Sequence, residues 1–395
     1  MLGAAVRIAE RIGIHNEAAN IKCTAFDAEM RRRLWWSIVH FDFRVCEKSN
    51  NVRSTILTPT WDCKLPANLN DFEIRPDMKS LPATRKEPTE ALFAVVRNAF
   101  GDFLRNTEFQ LDFINSALKV LAKDVWNGSL SKAHELNGWE NMVNNTYLKH
   151  CDPENPLHYM TIWTVRSQLA KNRLLKHYWT YSRSSAQQTS DNRDTAMSYA
   201  LEIIECEAML INSPLTEAYR LHISHCYFPV YIHIVQDLRK RPTQRFAEKA
   251  WTMMSDDFRV RFENIPLDGN PIFLLFAKAV VQAWEAREAA MSNREGSKLL
   301  WIVAEMKRLS QSAVADAQDL SMPQADSIMG VDLNDFLPTP AEFDGEELLR
   351  NIGPHLESST VSWAHPNVFE QPSLGLDMDD TDWTVLLNQC QAQNG

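Results

Sequence analysis

The residues with the most potential chemistry are histidines, cysteines and aspartates that stand close together. His222, His225, Cys226 and His233 form one such group, and the three-residue spacing of His222 and His225 could bring two imidazoles to one metal ion. Pro229 interrupts the segment and no carboxylate is interleaved, so the pattern favours histidines that are buried or cap a helix. A shorter group has the same character: His150, Cys151 and Asp152.

A run of aspartates near the C-terminus resembles the magnesium site that helical prenyl-transfer enzymes use on diphosphates; its members are Asp377, Asp379, Asp380 and Asp382. The spacing does not fit, because that site needs two adjacent acids and a third after two further residues on a buried helix wall. No glycine-rich phosphate loop and no nucleophile elbow occur in the sequence. We therefore predict no catalytic residue, no metal ligand and no enzyme activity.

Three consecutive arginines, Arg31 to Arg33, have the chemistry to neutralise phosphates. Asp27 stands four residues before Arg31 and Glu29 four before Arg33, which is the favourable order for ion pairs along a helix. We interpret the run as structural and predict no DNA-binding residue in this chain.

A second basic run contains Arg239, Lys240, Arg241 and Arg245 around Pro242. Two interpretations stay open for it. It is a nuclear import patch, or it is a basic helix end that complements the helix dipole.

Composition predicts a globular protein with a large core. The chain has 395 residues, is 45% hydrophobic and contains 12 tryptophans. Its seven cysteines are widely spaced, which is typical of reduced thiols inside a cell. The longest apolar run, Ile272 to Trp284, is broken by Lys278 and is too short to cross a bilayer, so no membrane partner is expected.

The charge is unevenly distributed. The net charge is −10, but 15 acidic residues and one arginine from Asp316 onward give that segment −14 and leave +4 for the rest. From Ser321 acids alternate with isolated apolar residues, as in disordered transactivation segments; a plain disordered tail is the alternative. We predict a helical regulatory domain over residues 1–320 and a disordered acidic tail over 321–395. The aromatic residues expected to contact coactivators are Phe336, Phe343, Trp363, Phe369 and Trp383.

The elements that position these residues are predicted to be helices. Thr24 and Asp27 start a helix whose core face carries Phe26, Met30, Leu34, Ile38, Phe41 and Val45. Its opposite side is also apolar, with Trp35, Trp36, Val39 and Phe43, so a central buried helix is expected. A proline-rich surface loop follows over residues 50–88, anchored by Ile56, Leu57, Trp61 and Leu65.

Helical spacing continues through the rest of the body. It predicts helices over 89–103, 109–121, 132–150, 156–179, 195–212, 214–239, 242–257, 272–291 and 297–320, with a flexible connection over 182–194. No unit repeats at a fixed period. The fold class expected is all-α, an irregular array of many helices.

Three ordered blocks carry a family resemblance. The segment AEMRRRLWWSIVHFDFRVCE is similar to the signature helix of the fungal-specific transcription factor domain, the regulatory middle region of fungal binuclear zinc-cluster transcription factors. GAAVRIAERIGIHNE before it and TPTWDCKLPANLNDFEI after it resemble the neighbouring blocks of that domain. The segment Tyr147 to Trp179 resembles a further block found in members linked to secondary metabolism.

The resemblance implies a nuclear transcription regulator that controls a metabolic or secondary-metabolite gene set. Met1 falls just before the middle of the family domain, so the zinc cluster and the first family helices are expected upstream; a fragment, a gene model and a natural headless form stay open. No cofactor is expected in this chain, since zinc is implied only for the missing cluster.

The resemblance also implies partners. These are DNA, indirectly or through the missing N-terminal domain, coactivators or other transcription proteins, and, left open, a homodimer and a small-molecule effector. Two other function classes stay open: a helical interaction module that modulates a partner factor, and an all-α small-molecule enzyme.

Overall fold

The computed structural model describes residues 2–48, 57, 61–105, 136–182, 189–220, 228–268, 271–291 and 299–319. Within these ranges all regular secondary structure is helical and no strand occurs, which confirms the predicted all-α fold class. The α-helices are α1 Leu2–Arg11, α2 Glu17–Asn20, α3 Ala25–Lys48, α4 Leu92–Arg105, α5 Leu136–Thr146, α6 Pro156–Ser182, α7 Ser190–Asn212, α8 Pro229–Lys240, α9 Ala247–Phe262, α10 Pro271–Ala290 and α11 Trp301–Asp319. Single 3₁₀ turns cover Asp71–Glu73, Leu148–His150 and Pro214–Tyr219.

All of these residues belong to one compact unit, Met1–Pro354. The second unit, His355–Gly395, lies outside the described residues, as do residues 320–354. The predicted domain boundary between residues 320 and 321 therefore stays a prediction, and so does the disordered acidic tail.

Local signals set the ends of the first helices. Gly13 follows α1 with a φ of 74°, a left-handed conformation that glycine adopts without strain. At the start of α3, the Thr24 hydroxyl oxygen accepts from the Asp27 backbone N–H at 3.1 Å, and the hydroxyl donates to the Asp27 carboxylate at 2.7 Å. The predicted helix start is confirmed, because this cap satisfies one of the free N–H groups of the first turn.

Helix α3 runs through a core of tryptophans, as predicted. Trp35 and Trp36 are fully buried, and both meet Trp61 of the following loop edge to face, with ring centroids 5.6 and 6.4 Å apart. The indole N–H of Trp36 donates to the Lys64 carbonyl at 3.0 Å. Val39 completes the buried side, so α3 is anchored by a large buried apolar area.

The predicted core face of α3 is wrong. Met30, Leu34 and Phe41 are 44%, 51% and 58% exposed, whereas Ile38 is buried and Phe26 is half-buried; the side chain of Val45 lies outside the described residues. Both sides of this helix are apolar, and periodicity alone does not say which one the core takes. The side with the two tryptophans is buried because the loop after α3 closes over it and packs Trp61 on both rings.

The loop that follows α3 is held by one buried asparagine. The Asn68 amide nitrogen donates to the carbonyls of Arg85 and Glu87 at 3.0 Å each, and its oxygen accepts from the Thr89 hydroxyl at 2.6 Å. Of the four predicted anchors, Leu57 and Trp61 are buried, but Leu65 is 37% exposed; Ile56 lies outside the described residues. Leu69, which has no exposed surface, anchors the loop instead.

Several predicted helix boundaries need correction. Helix α7 begins at Ser190 and not at Thr195, because Thr189 caps it by accepting from the Asn192 backbone N–H at 3.3 Å. The helix predicted over 214–239 is a 3₁₀ turn at its start and α8 at its end, and Pro229 opens α8 at a first-turn position where a missing N–H costs nothing. The helix predicted over 109–121 lies outside the described residues.

The C-terminal helices α8 to α11 share an aromatic core. Trp251 of α9 meets Trp284 of α10 edge to face at 5.2 Å, and Phe258 stacks on Phe276 at 5.7 Å. Beside this core Arg261 donates to both Asp257 and Glu207 at 2.8 Å, so its buried charge is paired. The buried ion pairs tie α9 to α7.

We predict a large loss of stability at one apolar position of α3 and almost none at another that lies two residues before it. Trp36→Ala should lower the free energy of unfolding by about 4 kcal/mol, because it opens a large cavity beneath the helix. Leu34→Ala, the matched control on the exposed side, should change it by less than about 0.5 kcal/mol. Urea unfolding followed by circular dichroism measures both, and equal losses would contradict the burial pattern.

Candidate functional site

The arginine run of α3 lies beside two buried carboxylates. Arg32 donates to both carboxylate oxygens of Glu17, the first residue of α2, and the side chain of Glu17 is 6% exposed. Arg33 donates through Nε to Glu29 at 3.2 Å and through Nη1 to Asp71 at 2.8 Å. We refer to Glu17, Glu29, Arg32 and Arg33 as the carboxylate clamp.

The clamp also holds the loop after α3. Glu17 accepts from the Lys64 backbone N–H at 3.1 Å, and Glu29 accepts from the Ala67 backbone N–H at 3.1 Å. In return, the Glu17 backbone N–H donates to Asp62 at 2.7 Å. The two carboxylates therefore fix three segments at once: α2, α3 and the loop that carries Trp61.

Burial raises the pKa of the two acids, and hydrogen bonds from arginine lower it. Burial raises the pKa of Glu29, and the hydrogen bond from Arg33 only partly offsets it. Burial also opposes ionisation of Glu17, but the hydrogen bonds from Arg32 and from the Lys64 backbone together leave its pKa below the ordinary value. Folding thus favours the ionised form of Glu17 and disfavours that of Glu29.

The predicted pairs along α3 are confirmed for one arginine and wrong for another. Glu29 and Arg33 form the expected pair. Arg31 instead donates to the Ile12 carbonyl at the end of α1, at 3.4 Å, while the Asp27 carboxylate accepts from Thr24. The structural interpretation of the run is supported for Arg32 and Arg33, because their guanidinium groups are engaged by carboxylates of the protein itself.

The histidine group is only partly described. His222, His225 and Cys226 lie outside the described residues. His233 is buried, its Nδ1 lies 2.5 Å from the Tyr178 hydroxyl, and burial lowers its pKa to about 4. A neutral imidazole that is hydrogen-bonded to a tyrosine hydroxyl links α6 to α8.

Basic residues at and after the end of α8 form ion pairs. Arg241 bonds Asp237 at 2.8 Å and Asp194 of α7 at 2.6 Å, and Arg245 bonds Asp194 at 2.8 Å. Arg239 donates to Gln282 at 3.1 Å. These contacts support the helix-end interpretation over the nuclear import patch, since an import sequence has to be free to bind its receptor.

The group His150, Cys151 and Asp152 is also engaged locally. The Cys151 thiol donates to the Tyr147 carbonyl at 3.6 Å, and burial raises its pKa to about 11, so it is a neutral thiol at neutral pH. The Asp152 backbone N–H donates to His158 at 3.0 Å. Across the described ranges, no cluster of three or more histidines, cysteines or acids is arranged to hold a metal ion.

The remaining candidate residues lie outside the described residues. They are the activation aromatics Phe336, Phe343, Trp363, Phe369 and Trp383 and the aspartates Asp377, Asp379, Asp380 and Asp382. Their roles stay predictions. Of the helices that the structure describes, none combines the length and apolarity that a bilayer crossing requires.

The chain is similar to fungal transcription regulators. It is 40% identical over 371 residues to the transcriptional regulator AacuB of Aspergillus aculeatus, which covers 92% of this chain and 50% of that protein. It is 39% identical over 405 residues to the transcriptional regulator nsrM of Aspergillus novofumigatus, and this alignment covers 98% of this chain and 54% of that protein. The aurofusarin cluster transcription factor aurR2 of Gibberella zeae is 23% identical over 296 residues, covering 74% and 43%.

No protein-family model matches the chain. No solved structure matches it. The chain spans about half the length of the curated relatives it matches. At these identities the chain belongs to the same family as these fungal transcription regulators, which confirms the predicted class.

We predict that removing the Glu17 charge destabilises the protein in a pH-dependent way. Glu17→Gln should cost about 2 kcal/mol at pH 7, because Arg32 loses a charged hydrogen-bond partner. The pKa of Glu17 is lowered on folding, so its contribution is present above the ordinary pKa of 4.5 and is lost as the pH falls through the folded value.

The difference in the free energy of unfolding between the wild type and Glu17→Gln should therefore become smaller below pH 4.5. Glu29 titrates in both proteins and cancels in the difference. Urea unfolding at pH 7 and at pH 4 measures this. If the difference in the free energy of unfolding stayed constant or increased at pH 4, the Glu17 charge would not stabilise the clamp.

We predict that the arginine run contributes to stability and not to DNA affinity. Arg32→Ala combined with Arg33→Ala should cost about 3 kcal/mol or more, because two buried carboxylates lose their partners. Fluorescence anisotropy with duplex DNA should give the same weak affinity for the wild type and the double arginine variant. Arg75→Ala with Lys79→Ala, two exposed cations of the loop, is the charge-matched control. A folded double variant that lost tight duplex binding would refute the structural role.

Proposed function

We propose that this chain is the regulatory and partner-binding part of a fungal zinc-cluster transcription regulator that acts in the nucleus on a metabolic or secondary-metabolite gene set. The observation that carries the proposal is the similarity to two named transcriptional regulators over 92% and 98% of the chain. The name of a third relative, an aurofusarin cluster transcription factor, supports a metabolic gene set.

The segment corresponds, in this proposal, to the fungal-specific transcription factor domain. The residues that support it are those of α3, whose family-like sequence AEMRRRLWWSIVHFDFRVCE forms one continuous helix with a buried tryptophan pair. The zinc cluster and direct DNA contact belong to the whole regulator. Within this chain, Arg32 and Arg33 are engaged in the carboxylate clamp.

The acidic segment 321–395 supplies the contact with coactivators in this proposal. Its acids keep isolated aromatic residues in water, and those aromatics are suited to shallow apolar grooves on coactivator proteins. The helical body positions this segment and receives regulatory signals. A small-molecule effector and its binding site stay predictions.

The test is a reporter assay with the complete chain. Residues 1–395 fused to a foreign DNA-binding module should activate a reporter, and Phe336→Ala with Trp383→Ala should reduce activation at least threefold at equal protein level. Ser373→Ala with Gln391→Ala, two polar positions of the same segment, should leave activation unchanged.

An inert fusion would contradict the activation role. If that fusion still captured a transcription factor in a pull-down, the function would be that of the helical interaction module. Activation that survived the aromatic substitutions would assign the coactivator contact to other residues of the chain.

A further inference from the structure

The corner between α8 and α9 carries an exposed threonine. The Gln244 backbone N–H donates to the Arg241 carbonyl at 3.2 Å, which closes a turn whose two central residues are Pro242 and Thr243. Thr243 is exposed, and within the described ranges its hydroxyl makes no hydrogen bond. The hydroxyl is therefore open to a reagent that arrives from solution.

Basic residues flank this threonine on both sides. Lys240 stands three positions before Thr243 and Arg245 two positions after it, and no other serine or threonine of the sequence has a basic residue at both of these positions. Protein kinases select their acceptor residue by such charge patterns, because acidic groups beside the catalytic site attract basic side chains of the substrate. The pattern is that of a substrate of a basophilic serine/threonine kinase.

Both flanking cations keep donors that a partner can use. Lys240 is exposed and forms no ion pair with any residue that the structure describes. The Arg245 side chain is 66% exposed and its Nε lies 2.8 Å from Asp194, while its two Nη groups make no hydrogen bond in the described part of the chain. A kinase can therefore bind both cations and leave Arg241 in its ion pairs with Asp194 and Asp237.

The structure blocks a second sequence of similar type. Lys307 stands three positions before Ser310 and Arg308 two positions before it. Ser310 lies inside α11, is half-buried and donates to the Met306 carbonyl at 2.9 Å. A kinase binds its acceptor in an extended conformation, and α11 would have to unwind to provide one. At Thr243, by contrast, one backbone hydrogen bond closes the turn.

We propose that Thr243 is a phosphorylation site of a basophilic serine/threonine protein kinase. The γ-phosphorus of ATP forms a bond to the Thr243 Oγ1 while its bond to the bridging oxygen breaks and ADP leaves; the hydroxyl proton passes to the catalytic carboxylate of the kinase and on to solvent. The product carries a charge of about −1.5 to −2 at neutral pH and three strong acceptor oxygens. The proposal does not depend on the activation role of the acidic segment.

The phosphate joins the end of α8 to the segment that leads into α9. It accepts from the Nη groups of Arg245 and from the Lys240 ammonium, which are charge-assisted hydrogen bonds. Arg245 keeps its contact with Asp194 of α7 through Nε. Phosphorylation therefore adds a link among α7, α8 and α9 without opening an existing ion pair.

Phosphorylation of the complete chain in vitro tests the acceptor. Protein kinase C with Mg²⁺ and ATP should modify Thr243 faster than any other residue, as read by tandem mass spectrometry, and Thr243→Ala should lower the initial rate at least fivefold. Thr252→Ala is the matched control and should leave the rate unchanged: Thr252 is exposed on α9 and has Lys249 three positions before it, but Met254 two positions after it. A Thr243→Ala chain that was phosphorylated at the wild-type rate would overturn the proposal.

Removal of the flanking cations tests the recognition. Lys240→Ala and Arg245→Ala should each lower kcat/KM for phosphorylation of Thr243 at least tenfold, with unchanged circular dichroism. Lys249→Ala, which removes another exposed cation from the same part of the chain, should leave kcat/KM unchanged. If all three variants were phosphorylated as fast as the wild type, the assignment to a basophilic kinase would be wrong.

Thermal unfolding tests the link that the phosphate makes. The phosphorylated chain should melt about 2 °C or more above the same sample treated with phosphatase. The increase should disappear in about 1 M NaCl, because pairs at this exposed corner are screened. It should also be absent from Arg245→Ala that has been phosphorylated to completion. An unchanged or lower melting temperature of the phosphorylated wild type would refute the contact with Arg245 and Lys240.

Discussion

A carboxylate that is removed from water has to be given hydrogen-bond donors, and the region around α3 depends on two such carboxylates. Glu29 has no exposed surface and Glu17 has 5%. Their donors come from Arg32 and Arg33 and from backbone N–H groups of the loop after α3. That loop also carries Trp61 onto the tryptophan pair of α3. The same loop therefore covers the tryptophans and supplies hydrogen-bond donors to both acids.

This constraint decides which side of α3 faces the core. The clamp and the tryptophans occupy the same half of the helix, so the loop and α1 close over that half. The row containing Met30, Leu34 and Phe41 is left on the surface. One helix is thus both the support of the fold around it and a surface with apolar character. A regulator that works by contact with other proteins needs such a surface on a rigid element.

The features that could be predicted from the sequence are those set by neighbours in the chain. The Thr24 cap, the stop at Gly13 and the pair of Glu29 with Arg33 all involve residues within four positions of one another. The bond of Arg32 to Glu17 spans 15 positions, and the bonds of Asn68 span 17 and 19, so no local pattern contains them. The start of α7 was within reach, because Thr189 is a favourable cap, but the polar composition around it favoured a loop.

The ion pairs of the arginines limit which of them can bind a DNA phosphate. A guanidinium group that binds a DNA phosphate must be free to reach it, and binding weakens steeply with salt because it releases counterions condensed on the DNA. Arg32 and Arg33 are held against buried acids, and releasing them would leave those acids without partners at a cost that exceeds the gain from one phosphate contact. The same residues cannot serve both purposes. Arg241 and Arg245 are held in the same way by Asp194. In the part of the chain that the structure describes, these four arginines therefore hold helices and the loop after α3 together.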